Sequence, residues 1–207
     1  MSGETQTKRL YLRAMRSGDG ELLYPIFSDQ RLWWYEPSNR HKNLLQTETY
    51  VERAAERWNS DGLSYWIAFL VADPSVVVGS GGAQRHRSGS WNLNYRIDPS
   101  MQRQGYATEL AMAGIAAAHS VDPMSPVIAW IDPINAPSRA TAIKAGLIFA
   151  GTGIDNSDGR ERAAYADRKL SWNRYPPAGL RVWNGTWPTP NALPRLRFST
   201  PLRKQKH

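Results

Sequence analysis

Residues 97–109 read Ile97-Asp98-Pro99-Ser100-Met101-Gln102-Arg103-Gln104-Gly105-Tyr106-Ala107-Thr108-Glu109, and this stretch decides the fold. It follows an alternating segment (91–97) that predicts a strand and opens an Ala/Leu-rich segment (107–119) that predicts a helix. Gly105 permits a tight turn with close backbone approach, so successive N–H groups from Gln102 to Thr108 can point into one concavity at a helix N-terminus. A pyrophosphate fits such a concavity, held by backbone donors and the helix dipole. The bland alternative is an ordinary strand-to-helix turn. No Gly-Lys-Ser/Thr follows, which excludes a Walker loop, and the three-glycine dinucleotide fingerprint is absent.

Upstream of this stretch the chain predicts a strand at 9–13, with Leu10 and Leu12 on one face, then a helix at 21–27 entered through Ser17, Gly18 and Asp19. A loop rich in aromatics (Trp33, Trp34, Tyr35, Glu36) leads to a second helix beginning at Thr47, whose Tyr50, Val51, Ala54, Ala55 and Trp58 recur at helical spacing until Asp61-Gly62. Strands follow at 65–72, 76–84 and 91–97, with connections so short that they must be antiparallel neighbours. Downstream, the pattern gives a strand at 127–131, a short helix at 138–145 closed by Gly146, and strands at 147–153 and 162–170 around a turn at 156–159. The expected order is βααβββαβαββ, an α/β unit with a mostly antiparallel sheet that turns parallel across the 107–119 helix.

The length of 207 residues suits one domain with an appendage, and 41% apolar against 21% charged residues with a mean hydropathy of −0.54 is ordinary for a soluble protein. No apolar run approaches a membrane span and the N-terminal residues lack a signal-peptide apolar region, so the expected compartment is the cytoplasm. The absence of cysteine excludes disulfides, thiolate metal sites and a protein thiol nucleophile. Histidines at 41, 86, 119 and 207 are dispersed and no HExxH spacing occurs, so no metal is expected. The net charge of +8 would suggest an anionic partner, but it is unevenly placed. Residues 171–207 hold seven basic residues and no acid, together with six prolines and Trp172, Trp183 and Trp187, whereas residues 1–170 hold 19 basic and 18 acidic. Two units are therefore expected: a nearly neutral domain at 1–170 and an irregular, basic C-terminal extension at 171–207 that packs on its own domain, a second subunit or a partner. Arginines spaced among prolines without a nucleic-acid-binding fold disfavour nucleic acid as that partner.

Gln102-Arg103-Gln104-Gly105-Tyr106-Ala107 resembles the Q/R-x-x-G-x-G/A signature of the GNAT acetyltransferases, and Tyr95-Arg96-Ile97-Asp98-Pro99 with Ala107-Thr108-Glu109 resembles their RimJ/RimL-like branch of N-acetyltransferases. Asn135-Ala136-Pro137-Ser138 and Lys144-Ala145-Gly146-Leu147 match that branch's second signature, Asn-x-x-Ser then Lys-x-Gly-Phe, with Leu for Phe. The resemblance covers about residues 8–170. It implies a sheet splayed between the expected fourth (91–97) and fifth (127–131) strands, flanked by helices, with acetyl-CoA as co-substrate and no metal. The missing cysteine agrees with this, because the thiol arrives with coenzyme A and the acyl group passes directly to an amine.

The resemblance also implies site residues. Backbone at Tyr95 and Ile97 contacts the pantetheine, and an N–H near Asn94 or Tyr95 faces the thioester carbonyl, where charge grows in the transition state. Gln102, Arg103, Gln104, Gly105, Tyr106, Ala107 and Thr108 hold the pyrophosphate, with Arg103, Arg139 and Lys144 as neutralising cations. Ser138 is the expected proton donor to the departing thiolate, its bland alternative being the N-cap of the 138–145 helix. Asn135 ties the splayed strand end to that helix and contacts the pantetheine. A tyrosine acid four residues after the serine is excluded, because Ala142 stands there. For the base, the position that often carries an acid in the family is Asn92, which leaves Glu36, His86 or a water held by Asn92 or Asn94. Trp33, Trp34, Tyr35 and Glu36 are expected on the acceptor side, and three adjacent aromatics cannot all face one core. The expected activity is N-acetylation of a primary amine, either a protein or peptide N-terminus or a small molecule, with a homodimer as the candidate assembly. The competing expectation is a non-catalytic acyl-CoA sensor or interaction module with a basic arm.

Overall fold

The computed structural model describes residues 3–154 and 159–170. The alternating segment near the N-terminus forms β2 (Leu10–Ala14), whose inward Leu10 and Leu12 are fully buried. It is preceded by β1 (Glu4–Gln6) and followed by α1 (Gly20–Phe27), a short 3-10 turn (Pro37–Asn39) and α2 (Leu44–Asp61). The chain continues through β3 (Tyr65–Leu70), β4 (Val77–Arg85), β5 (Trp91–Ile97), a second 3-10 turn (Pro99–Met101), α3 (Tyr106–Val121), β6 (Val127–Ile131), α4 (Ala136–Lys144), β7 (Ile148–Ile154) and β8 (Glu161–Ala166).

Eight strands form one sheet in the order β1-β2-β3-β4-β5-β6-β8-β7. Every neighbouring pair is antiparallel except β5 and β6, which are joined through α3 as a parallel crossover needs a long connection. That parallel ladder is two residues long: Trp91 pairs with Val127 and Asn92 with Ile128, and then the strands part. β5 keeps its full register with β4, from Arg85↔Trp91 to Gly79↔Ile97, so only one side of β5 is left open. The splay expected between the fourth and fifth strands is thus the β5–β6 gap.

Two apolar layers hold the sheet. β3 is buried on both faces, which is why its sequence YWIAFL is a continuous apolar run. Trp66 and Ala68 join Trp91, Leu93, Leu110, Ala111 and Ala118 beneath α3, while Tyr65, Ile67 and Phe69 join Phe27, Trp33, Val51 and Ala54 beneath α1 and α2. Helix α3 sits unusually close to β4 and β5. A Cβ on Gly114 would lie 3.0 Å from the Cα of Gly82 and 2.9 Å from a Leu93 methyl, so the glycine is what allows the contact.

Four expectations need correction. β1 was not expected, because all three of its residues are exposed and show no apolar alternation. α2 begins at Leu44 rather than Thr47: Asn43 is its N-cap, its Oδ1 accepting from the Gln46 N–H at 3.1 Å. α4 begins at Ala136, so its cap is Asn135 and not Ser138. β8 ends at Ala166, where Asp167 turns back to accept the Val127 N–H at 3.1 Å. Asn156, Ser157 and Asp158 of the expected turn, and the whole 171–207 extension with its three tryptophans, lie outside the described residues. Among the described residues no helix is long and apolar enough to cross a membrane.

Candidate active site

The 97–109 stretch is a loop with two left-handed residues. Asp98 closes the 3-10 turn by accepting from the Ser100 N–H (2.7 Å) and hydroxyl (2.6 Å). Arg103 then has φ 64° and Gly105 φ 85°, two left-handed residues with one between them, the kind of turn in which backbone N–H groups can be presented to an anion. The free N–H groups of the first turn of α3 add to these, and Gly105 is the residue at the helix N-cap. The outer side of the loop is pinned. Arg9 donates from Nη1 to the Gln104 carbonyl at 2.8 Å and from Nε to Glu109 at 2.7 Å, and its guanidinium lies 4.4 Å from the Tyr106 ring centre. Burial pushes the Glu109 carboxyl up, but hydrogen bonds from Thr7 and Arg9 outweigh it and hold the carboxyl below its ordinary value.

The β5–β6 gap opens beside this loop. The Trp91 N–H donates toward β6, to the Pro126 carbonyl at 2.9 Å, whereas Asp98 N–H donates toward β4, to Val78. Strand alternation therefore turns the backbone N–H and C=O of Tyr95 and Ile97 into the gap and those of Asn94 and Arg96 toward β4. Of the two residues considered for the thioester donor, Tyr95 is the one whose N–H faces the opening.

Helix α4 borders the gap opposite β5. Asn135 is buried, and its Oδ1 accepts from the Ser138 N–H at 3.1 Å, fixing the first turn. The Ser138 hydroxyl donates to the Tyr95 phenol oxygen at 3.2 Å, and the Tyr95 hydroxyl donates to the Ser138 carbonyl at 2.8 Å. Burial raises the Tyr95 phenol to about 12, against a smaller opposing effect of the Ser138 hydrogen bond. Both hydroxyls are thus neutral proton donors at physiological pH. Replacing Asn135 by Ala should remove the cap and lower stability by about 1 kcal/mol, or about 2–4 °C in Tm, with Asn135→Asp retaining most of it. Thermal unfolding that leaves Asn135→Ala unchanged would show that the cap does not hold α4.

These elements enclose a cavity of about 670 Å³. Tyr95 and Ile97 reach it from β5, Gln102, Arg103 and Gly105 from the loop, Tyr106, Ala107 and Thr108 from α3, and Asn135 and Ser138 from α4. Gln104 and Arg139 are outside the lining: Gln104 turns its carbonyl to Arg9, and the Arg139 Nε is enclosed without a hydrogen-bond partner. Lys144, Arg31 and Arg96 line the cavity too, so with Arg103 it carries four cations. No Asp, Glu or His lines it among the described residues. Its charge is that of a site for a polyanion.

The aromatic loop divides as its crowding requires. Trp33 is buried, with its indole N–H donating to the Phe27 carbonyl at 2.6 Å, while Trp34 is 54% exposed and lines the cavity with Tyr35. Glu36 is buried in an ion cluster, 2.7 Å from Arg162 and 3.1 Å from Arg160, and Arg160 also pairs with buried Asp132. This cluster ties the aromatic loop to β8. Asn92 donates to the Tyr65 hydroxyl at 2.9 Å, and His86 lies in the β4–β5 turn, at the end of β5 away from the loop, with its Nδ1 2.8 Å from the Ser88 hydroxyl. Sequence reading missed Arg31 and Arg96 as lining residues and Arg9 as the support of the loop.

A family profile described as an acetyltransferase (GNAT) domain matches residues 9–148, more than half of the chain. The chain belongs to the GNAT acetyltransferase family. Solved structures of this fold include a GNAT-family acetyltransferase from Bacillus anthracis, 20% identical with TM-score 0.66, covering 79% of this chain and 96% of that one. The RimL ribosomal L7/L12 α-N-protein acetyltransferase in complex with coenzyme A is 16% identical, TM-score 0.62, covering 79% of this chain and 96% of that one. The ribosomal-protein-S5-alanine acetyltransferase from Vibrio fischeri is 12% identical, TM-score 0.61, covering 82% and 98%. No curated protein sequence matches the chain. The acetyltransferases of this family use acetyl-CoA, and the cavity fits that co-substrate: four cations and, among the described residues, no carboxylate, a glycine loop at the N-terminus of α3, and an edge of β5 without a strand partner beside it.

Proposed function

We propose that this GNAT acetyltransferase moves an acetyl group from acetyl-CoA to a primary amine, as the RimJ/RimL-like branch does, the acceptor being a protein or peptide N-terminus or a small amine. The observation that carries this reading is the Tyr95–Ser138 hydrogen bond across the open β5–β6 gap, beside the cationic loop. It sets two neutral hydroxyls where a strand edge offers the Tyr95 N–H. Similarity to RimL and to the S5-alanine enzyme supports an N-terminal amine as one acceptor class.

Acetyl-CoA supplies the activated thioester. Gln102, Arg103, Gly105 and the first turn of α3 would hold its phosphates through backbone N–H groups, with Arg103 and Lys144 as nearby positive charge. The Tyr95 N–H polarises the carbonyl, and Ser138 gives its proton to the departing sulfur. Asn135 and Tyr95 keep Ser138 in place. Trp34 and Tyr35 form the apolar acceptor wall, which the Glu36 ion cluster holds against β8.

Among the described residues the lining includes no carboxylate or imidazole to serve as base, so in this reading the attacking amine loses its proton to water. The pH profile of kcat/KM should then rise with a midpoint that follows the acceptor's own amine pKa from one acceptor to the next. Because the Tyr95 phenol is raised to about 12, its ionisation gives no falling limb below that pH. A rising limb fixed near neutrality for every acceptor would instead identify a protein base. The activity itself is tested by following free thiol release from acetyl-CoA across a panel of amines and N-terminal peptides; release with none of them would overturn the reading.

A further inference from the structure

On the acceptor side of β5 the outward residues are Asn92, Asn94 and Arg96, a polar row against the aromatic layer of α1 and α2. Asn92 is held by Tyr65, and Asn94 accepts from Arg96 Nη1 at 2.8 Å. The Arg96 guanidinium lies 4.9 Å from the Trp33 ring centre and 5.6 Å from that of Phe27, so its position is set by apolar walls. Its charge has no answer: no carboxylate among the described residues pairs with it. Its Nε is enclosed and meets no carboxylate; the buried Tyr50 hydroxyl is the polar group beside the guanidinium. The two buried carboxylates on this side, Glu36 and Asp132, are both engaged by Arg160 and Arg162. Yet Arg96 lines the reaction cavity with Trp34, Tyr35 and Tyr95.

A half-buried guanidinium that faces a cavity, set near rings and without a counter-ion, is stabilised by a ligand that supplies the anion, and its planar fork suits a carboxylate. Coenzyme A phosphates are served elsewhere, by the loop and α3. Arg96 instead projects from the face of β5 that carries the acceptor wall. We propose that Arg96 is the acceptor anchor of this acetyltransferase, and that the acceptor carries a carboxylate close to the amine that is acetylated. This rests on the acetyl-transfer reading of the same cavity. The carboxylate has two sources, the α-carboxylate of a free amino acid or an acidic side chain at the start of a peptide. Polycationic acceptors are disfavoured by the same charge.

Binding tests this without turnover. Protein saturated with coenzyme A is titrated by calorimetry with two sets of matched compounds: N-acetyl amino acids against their amides, and N-acetylated peptides beginning with Asp against those beginning with Asn. In one set the carboxylate member should bind about tenfold to a hundredfold more tightly, and that set names the source. Arg96→Met should erase the preference, and Arg96→Lys, the variant expected to fold if Met does not, should reduce it several-fold by losing the planar fork. Equal affinity within every pair, no binding by any compound, or a preference that survives both substitutions would overturn the anchor. So would a loss of coenzyme A affinity as large as the loss of preference, which would move Arg96 to the phosphates. A carboxylate preference without acetylation of any amine would overturn the transfer reading and leave the anchor standing.

Discussion

Replacing Gly105 by Val should weaken coenzyme A binding by about a hundredfold or more, with a loss of thermal stability no larger than the local backbone strain accounts for. Gly105 adopts φ 85° and ψ 2°, a left-handed conformation that a β-branched residue reaches only with strain of about 1–3 kcal/mol. Relaxing that strain means moving Gln104 and Tyr106, the two residues through which Arg9 braces the loop. A Cβ at 105 would make only an ordinary contact with Arg9 Nη2, at 3.4 Å, so the strain lies in the backbone rather than in crowding. The N–H groups then no longer converge, and each factor of ten in affinity is only about 1.4 kcal/mol. The loss of global stability stops at about that strain, a few degrees in Tm per kcal/mol, because Gly105 is exposed and contributes nothing to either apolar layer. Gly105→Ala should fall between the two. Calorimetry giving wild-type affinity for Gly105→Val would remove the loop from the cofactor site.

Substitution of Ser138 by Ala should lower kcat by about 10²–10⁴-fold with coenzyme A affinity changed by no more than a few-fold. The cap of α4 would survive, because it is Asn135 that accepts the Ser138 backbone N–H, and alanine keeps that N–H. This separates chemistry from scaffolding more cleanly than the sequence alone allowed, where Ser138 was also a candidate cap. Tyr95→Phe serves as the partner experiment. It removes the phenol that donates to the Ser138 carbonyl and accepts from the Ser138 hydroxyl. If Ser138 is the donor to sulfur, Tyr95→Phe should cost less than Ser138→Ala, and the double variant should cost little more than Ser138→Ala. A kcat for Ser138→Ala equal to wild type would leave that hydroxyl with a packing role only.

The parts of the fold that the sequence announced are those governed by local rules. β5 and β6 fall on the expected residues 91–97 and 127–131, because one is bounded by a glycine turn and the other is a short apolar run. The order of elements from β2 to β8 follows from periodicity and turn chemistry. β1 left no such trace, since Glu4, Thr5 and Gln6 are exposed and show no apolar alternation, and their register with β2 is set across the chain rather than within a window of it. The loop and its glycine were legible from their place between strand and helix. What supports them was not: Arg9 reaches Glu109 across a hundred residues of chain, a contact no window of sequence contains. The Glu36, Asp132, Arg160 and Arg162 cluster is hidden for the same reason. Arg96 is different. Its alternation with Asn92 and Asn94 places three polar residues on one face of a central strand, and that pattern was available to be read.

The two-residue ladder between β5 and β6 makes the sheet two blades on a short hinge, one carrying β1 to β5 and the other β6 to β8. A donor molecule seated along the free edge of β5 would act as the missing rung between them. Its binding energy then becomes folding energy, rising as the logarithm of donor concentration over its dissociation constant. The melting temperature of the protein should track the supply of acetyl-CoA, so that a cell short of acetyl units would hold not merely an idle enzyme but a looser one.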